Sequence, residues 1–79
     1  MNIEFFRLGG NGHYKMNNVL KELLLCEIIK DIPKKIFYPS NDLNNFEFWY
    51  NNTKLNLNKC INANSDNIRI LIPNKCHGD

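Results

Sequence analysis

Apolar and polar positions divide the chain into a series of short stretches. Ile3 to Leu8 carries Ile3, Phe5, Phe6 and Leu8 and reads as a strand. Gly9-Gly10-Asn11-Gly12 must follow it as a turn or loop. From about Tyr14 to Lys30 no breaker occurs, which predicts a helix. Its first half is amphipathic, with Asn17, Asn18, Lys21 and Glu22 opposite Met16, Val19, Leu20, Leu23 and Leu24. Its second half, with Leu24, Leu25, Cys26, Ile28 and Ile29, is apolar almost all round. Asp31-Ile32-Pro33 stops the helix, because the residue before a proline is pushed out of helical geometry. Lys35 to Tyr38 then reads as a second strand, closed by Pro39-Ser40.

Strand, glycine loop, helix and strand in that order outline a βαβ unit with parallel strands and a right-handed crossover. Beyond it, Phe46–Tyr50 and Thr53–Asn58 flank Asn51-Asn52 and suggest a hairpin. Asn62 to Asn67 is a polar loop, and Ile68 to Ile72 a last strand running into residues 73–79. The expected fold is α/β: one βαβ unit extended by a hairpin and a C-terminal strand, a Rossmann-like fragment in a single small, partial domain over residues 1–79. A helix apolar on every side needs cover, and 79 residues offer little of it. The pattern therefore predicts a protein partner or self-association through the Leu24–Ile29 surface, or a chain cut from something larger.

Composition narrows the class without naming it. A hydrophobic fraction of 43% and a charged fraction of 23% are ordinary globular values and argue against wholesale disorder. A net charge of +2 is far from that of a dedicated nucleic-acid binder, so no nucleic acid is expected as partner. Asparagine makes up about a fifth of the residues, which an AT-rich coding sequence explains, since hydrophobic runs interrupt the Asn tracts. Cys26, Cys60 and Cys76 form no CxxC pair and are odd in number, which points to a reducing cytoplasm, with no disulfide framework and no metal site. Asn51-Asn52-Thr53 is a formal sequon without a signal peptide, and the longest apolar run, interrupted by Glu27, is too short to span a bilayer.

Candidate chemistry gathers at Arg7-Leu8-Gly9-Gly10-Asn11-Gly12-His13-Tyr14-Lys15. Glycines between a strand and a helix let backbone N–H groups approach an anion, and the helix amino end favours negative charge. Arg7, His13 and Lys15 add positive charge, and a bound anion would relieve the conflict between Lys15 and the helix dipole. The same spacing fits a tight strand-to-helix turn with Arg7 and Lys15 solvated. A second candidate loop holds Lys75, Cys76, His77 and Asp79, at the carboxyl end of the last strand, where open α/β sheets collect ligands. A frayed polar terminus is the plainer reading of it. Phe46, Phe48, Trp49 and Tyr50 fit a hydrophobic core better than a stacking platform for bases or sugars. Lys30, Lys34 and Lys35 suit a helix carboxyl end.

The run from Arg7 to His13, followed by Met16-Asn17-Asn18-Val19-Leu20 and then by Lys35-Ile36-Phe37-Tyr38, resembles the start of bacterial fucosyltransferase-like glycosyltransferases. These open with a strand, a Gly-Gly-x-Gly-Asn loop, an apolar helix and a second strand. His13 stands where that family usually has Asn, and Tyr14 where it has Gln. The resemblance covers the first half of the chain. It implies the N-terminal part of a nucleotide-sugar-dependent transferase of surface polysaccharide synthesis, inactive alone because the second domain binds most of the donor. Gly9, Gly10, Gly12 and His13 would then lie near the donor diphosphate or the acceptor, with Arg7 and Lys15 offsetting negative charge. No cofactor beyond that sugar nucleotide is implied, and no catalytic residue is assigned. The alternative is a small standalone interaction protein, of phage or mobile-element type, that works by binding a partner protein.

Overall fold

In the computed structural model, residues 1–8, 12–37 and 46–73 are described. They form β1 (Asn2–Arg7), β2 (His13–Met16), α1 (Leu25–Ile29), a 3-10 turn (Lys34–Phe37), β3 (Trp49–Tyr50), β4 (Thr53–Lys54) and β5 (Asn67–Ile72). The strands make one mixed sheet in the order β2-β1-β5-β3-β4. β1 and β5 run parallel, and the remaining neighbours are antiparallel.

Strict alternation builds the sheet's core face. Ile68, Ile70 and Ile72 are buried while Asn67, Arg69 and Leu71 are exposed, the period of a strand with one covered side. Ile3 and Phe5 sit beside Ile68 and Ile70 in the β1–β5 register and face the same way. Leu25, Ile28 and Ile29 of α1, with Ile32, Ile36, Phe46, Phe48 and Ile61, close over them. The rings of Phe5 and Phe48 meet edge to face, with centroids 6.4 Å apart. Each such side chain contributes about 1.5–3 kcal/mol by leaving water. The segment Phe46–Tyr50 is thus divided, with Phe46 and Phe48 in the core and Trp49 and Tyr50 half-buried.

The small sheet-and-helix domain stands, but the βαβ unit does not form. Most of the span expected to be helical, Tyr14–Lys30, is extended or turned, and only Leu25–Ile29 is α-helix. His13–Met16 instead pairs antiparallel with β1, matching Ile3 with Met16 and Phe6 with His13. Read with a period of two, the same residues alternate: Tyr14 and Met16 are half-buried, His13 and Lys15 exposed. Reciprocal backbone bonds of 2.7 Å between Met1 and Val19 continue this pairing. Asn18, at φ 59°, turns the chain out of the strand in the left-handed region that Asn tolerates. Lys35–Phe37, expected to begin a strand, lie instead in the 3-10 turn Lys34–Phe37 after Pro33, with the Ile36 N–H donating to the Pro33 carbonyl at 3.0 Å. Tyr38, Pro39 and Ser40 lie outside the described residues.

Helix α1 finds its cover inside the chain. The Leu25 N–H donates to the Lys59 carbonyl at 3.0 Å and the Cys26 N–H to the Leu57 carbonyl at 2.9 Å. The Glu27 carboxylate accepts the Leu24 N–H at 2.9 Å and starts the helix. Leu25, Ile28 and Ile29 are buried and Leu24 and Cys26 half-buried, so Leu24–Ile29 is not the free surface its composition predicted.

The hairpin forms as expected. Asn51 and Asn52 take φ values of 53° and 64°, the two positive angles of a tight hairpin turn. The first strand, the last strand and the polar loop before it also fall where the pattern put them.

Candidate binding surface

Side chains of the opposite parity define a second sheet face. Directly paired residues of neighbouring strands share a face, so the register traces rows across the sheet. One row runs through every strand: His13 on β2, Phe6 on β1, Leu71 on β5, Trp49 on β3 and Lys54 on β4. Beside it, Lys15, Glu4 and Arg69 make a shorter row. Helix α1 and the 3-10 turn both pack on the core side. Leu71 keeps 41% of its surface exposed, while Phe6 and Trp49 are half-buried.

Contacts along these rows hold the side chains in place. The His13 ring lies stacked on Phe6, with centroids 4.7 Å apart and planes 26° from parallel. The Arg69 guanidinium stands over the same Phe6 ring at 5.7 Å. The Glu4 carboxylate lies 3.2 Å from His13 Nε2 and 3.8 Å from Arg69 Nε. At the far end, the Trp49 indole N–H donates to Glu47 at 3.0 Å, and Lys54 Nζ lies 3.5 Å from the same carboxylate. The result is an apolar and aromatic stripe with His13 at one end, Lys54 at the other, and the carboxylates Glu4 and Glu47 beside it.

The sequence-derived candidates separate on this frame. His13 and Lys15 lie on the open face. Arg7 turns to the other side, where its Nη1 donates to the Ile36 carbonyl at 2.9 Å and its guanidinium covers the Phe46 ring at 5.0 Å. It fastens the 3-10 turn to the sheet. Gly12 is a packing position, since a Cβ there would lie 3.0 Å from both Arg7 Cβ and Ile36 Cγ2. Lys15 is on a strand rather than in a first helical turn, so the dipole conflict that argued for an anion does not arise. Gly9, Gly10, Lys75, Cys76, His77 and Asp79 lie outside the described residues.

Phe6, Arg69, Leu71, Lys54 and Glu4 were not singled out by the sequence, and Trp49 was read chiefly as core. Their signal was the parity of the strands: Phe6 shares Glu4's side of β1, and Leu71 breaks a polar series begun by Asn67 and Arg69. No group of three or more His, Cys, Asp or Glu that could hold a metal occurs among the described residues. None of the described helices is long and apolar enough to cross a membrane. Compared with family models, curated proteins and solved structures, the chain matches none of them.

Proposed function

We propose that this chain is a non-catalytic interaction module that docks a partner protein on the open face of its sheet. One observation carries the reading: the unbroken row His13–Phe6–Leu71–Trp49–Lys54 across all five strands. Aromatic and aliphatic side chains at the centre, with charged ones at the rim, are the anatomy of a protein–protein contact. The carboxylates Glu4 and Glu47 sit among the cations, and mixed signs suit a protein surface better than a phosphate backbone. Strands about 4.8 Å apart give this short-stranded face an area on the order of 400 Å², below that of a stable dimer. The contact is therefore weak and reversible, with a different chain as partner.

The nucleotide-sugar reading draws on the run Arg7–His13 with Met16–Leu20 and Lys35–Tyr38 after it. Arg7 bonded to Ile36 and a strand in place of the expected helix remove two of its physical supports.

A photo-crosslinking amino acid at position 71 tests the docking proposal in cells. We expect one recurrent adduct from position 71, absent from the exposed position 22 and abolished by Trp49→Ala. Equal labelling from both positions, or adducts only with a second copy of the chain, would overturn it.

A further inference from the structure

The sheet ends, among the described residues, at β2, one of whose edges has no neighbouring strand. A groove of about 480 Å³ is lined by β2 and the residues after it: Tyr14, Met16, Val19, Leu20 and Leu23 make its apolar wall, with Lys15, Asn17 and Asn18 also on its lining. Leu20 is 61% exposed beside it. On the other face of the same strand stand His13 and Lys15, both exposed. An edge strand thus offers backbone groups in its plane, an apolar wall on one side and the Lys15 ammonium on the other.

We propose that β2 accepts an extended segment of a partner polypeptide as a sixth strand, one that alternates apolar and acidic residues. Strand addition uses the edge N–H and C=O groups for affinity, and the two-residue period sends alternate side chains to opposite faces. Apolar side chains of the guest enter the groove beside Tyr14, Met16 and Leu20. Its acidic side chains lie opposite His13 and Lys15. Asp31 borders the groove on the core side, which reserves that side for uncharged side chains.

Charge also disfavours a second copy of this chain as the guest. Antiparallel self-pairing with the core faces aligned can join three residues of β2 in two registers. One sets Lys15 against the partner copy's Lys15; the other sets His13 against it. The Lys15–Lys15 register sets like charges directly opposite, which opposes pairing, and lysine on an edge strand is a common guard against self-assembly. The same lysine favours a guest of opposite sign. This site lies apart from the Leu71–Trp49 stripe and does not rest on the docking assigned there.

Amide NMR titration of the full chain tests the proposal with two short synthetic peptides, one alternating valine and glutamate, the other valine and lysine. We expect shifts centred on His13–Met16 and Leu20–Leu23 with the acidic peptide, and binding at least tenfold weaker for the basic one. Lys15→Glu should reverse that preference, and Leu20→Ser should weaken the acidic peptide about tenfold while leaving the order unchanged. Both positions are exposed; because Glu4 lies opposite Lys15 in the β1–β2 register, Lys15→Gln, which should abolish the preference, serves beside Lys15→Glu, and amide spectra check that each variant keeps the sheet. Absence of shifts at millimolar acidic peptide would overturn the proposal. So would equal binding of both peptides, shifts confined to Trp49 and Leu71, self-association through His13–Met16, or nuclear Overhauser contacts from residues 74–79 to Leu20.

Discussion

The His13 imidazole lies stacked on the Phe6 ring, with centroids 4.7 Å apart, on the face of the sheet opposite its core. That pair fixes where the first strands sit: Phe6 and His13 face outward because Phe5 and Tyr14, their neighbours in sequence, face inward. Adjacent phenylalanines in β1 therefore have different tasks. Phe5→Ala should cost about 3–5 kcal/mol, since Phe5 is fully buried. Phe6→Ala should cost about 1 kcal/mol, being half-exposed. Urea unfolding of both variants measures the difference, and equal losses would contradict the assignment of faces.

The hairpin turn offers a backbone test. Asn52 holds φ at 64° and Asn51 at 53°. A β-branched residue pays about 1–2 kcal/mol in this region, whereas glycine occupies it freely. Asn52→Val should lower the urea midpoint, and Asn52→Gly should leave it unchanged or raise it.

Gly12 separates packing from ligand binding. A methyl group there would meet Arg7 Cβ and Ile36 Cγ2 at 3.0 Å. Gly12→Ala should destabilise the chain by about 1–3 kcal/mol through overpacking. Truncating Ile36 in the same chain should return part of that loss, because the two positions share one contact. A double-mutant cycle by thermal unfolding reads the coupling; strict additivity would sever the contact.

Helix α1 is covered by its own chain, so its apolar residues should act in the monomer. Ile28→Ala should cost about 2–5 kcal/mol whatever the protein concentration, because Ile28 is 2% exposed within one chain. Unfolding midpoints that rise with concentration would show that cover comes from a second copy.

The legible parts of the fold were those decided by local rules. Ile3–Leu8 and Ile68–Ile72 are rich in strand formers, and Asn51-Asn52 suits the positive angles of its turn. Tyr14–Lys30 carries a helical pattern, but its first residues also fit a strand once β1 offers its edge; tertiary pairing outweighs propensities of a few tenths of a kcal/mol per residue. Lys35–Phe37 has strand-forming residues but follows Pro33, and it closes a 3-10 turn held by Arg7. His13 and Lys15 were found by charge near the glycines, yet their setting came from a period of two hidden under a supposed helix. Leu71 and Arg69 could be placed only once the register joined β5 to strands distant in sequence.

Docking on the open face requires that the row from His13 to Lys54 be reachable from solvent. A soluble paramagnetic relaxation agent, added during NMR of the full chain, measures this most directly. Side-chain signals of Leu71, Trp49 and His13 should broaden strongly, while those of Ile70 and Ile72, next to Leu71 in sequence, stay sharp. Equal protection of Leu71 and Ile70 would mean that the face is covered, and would contradict the proposed docking surface.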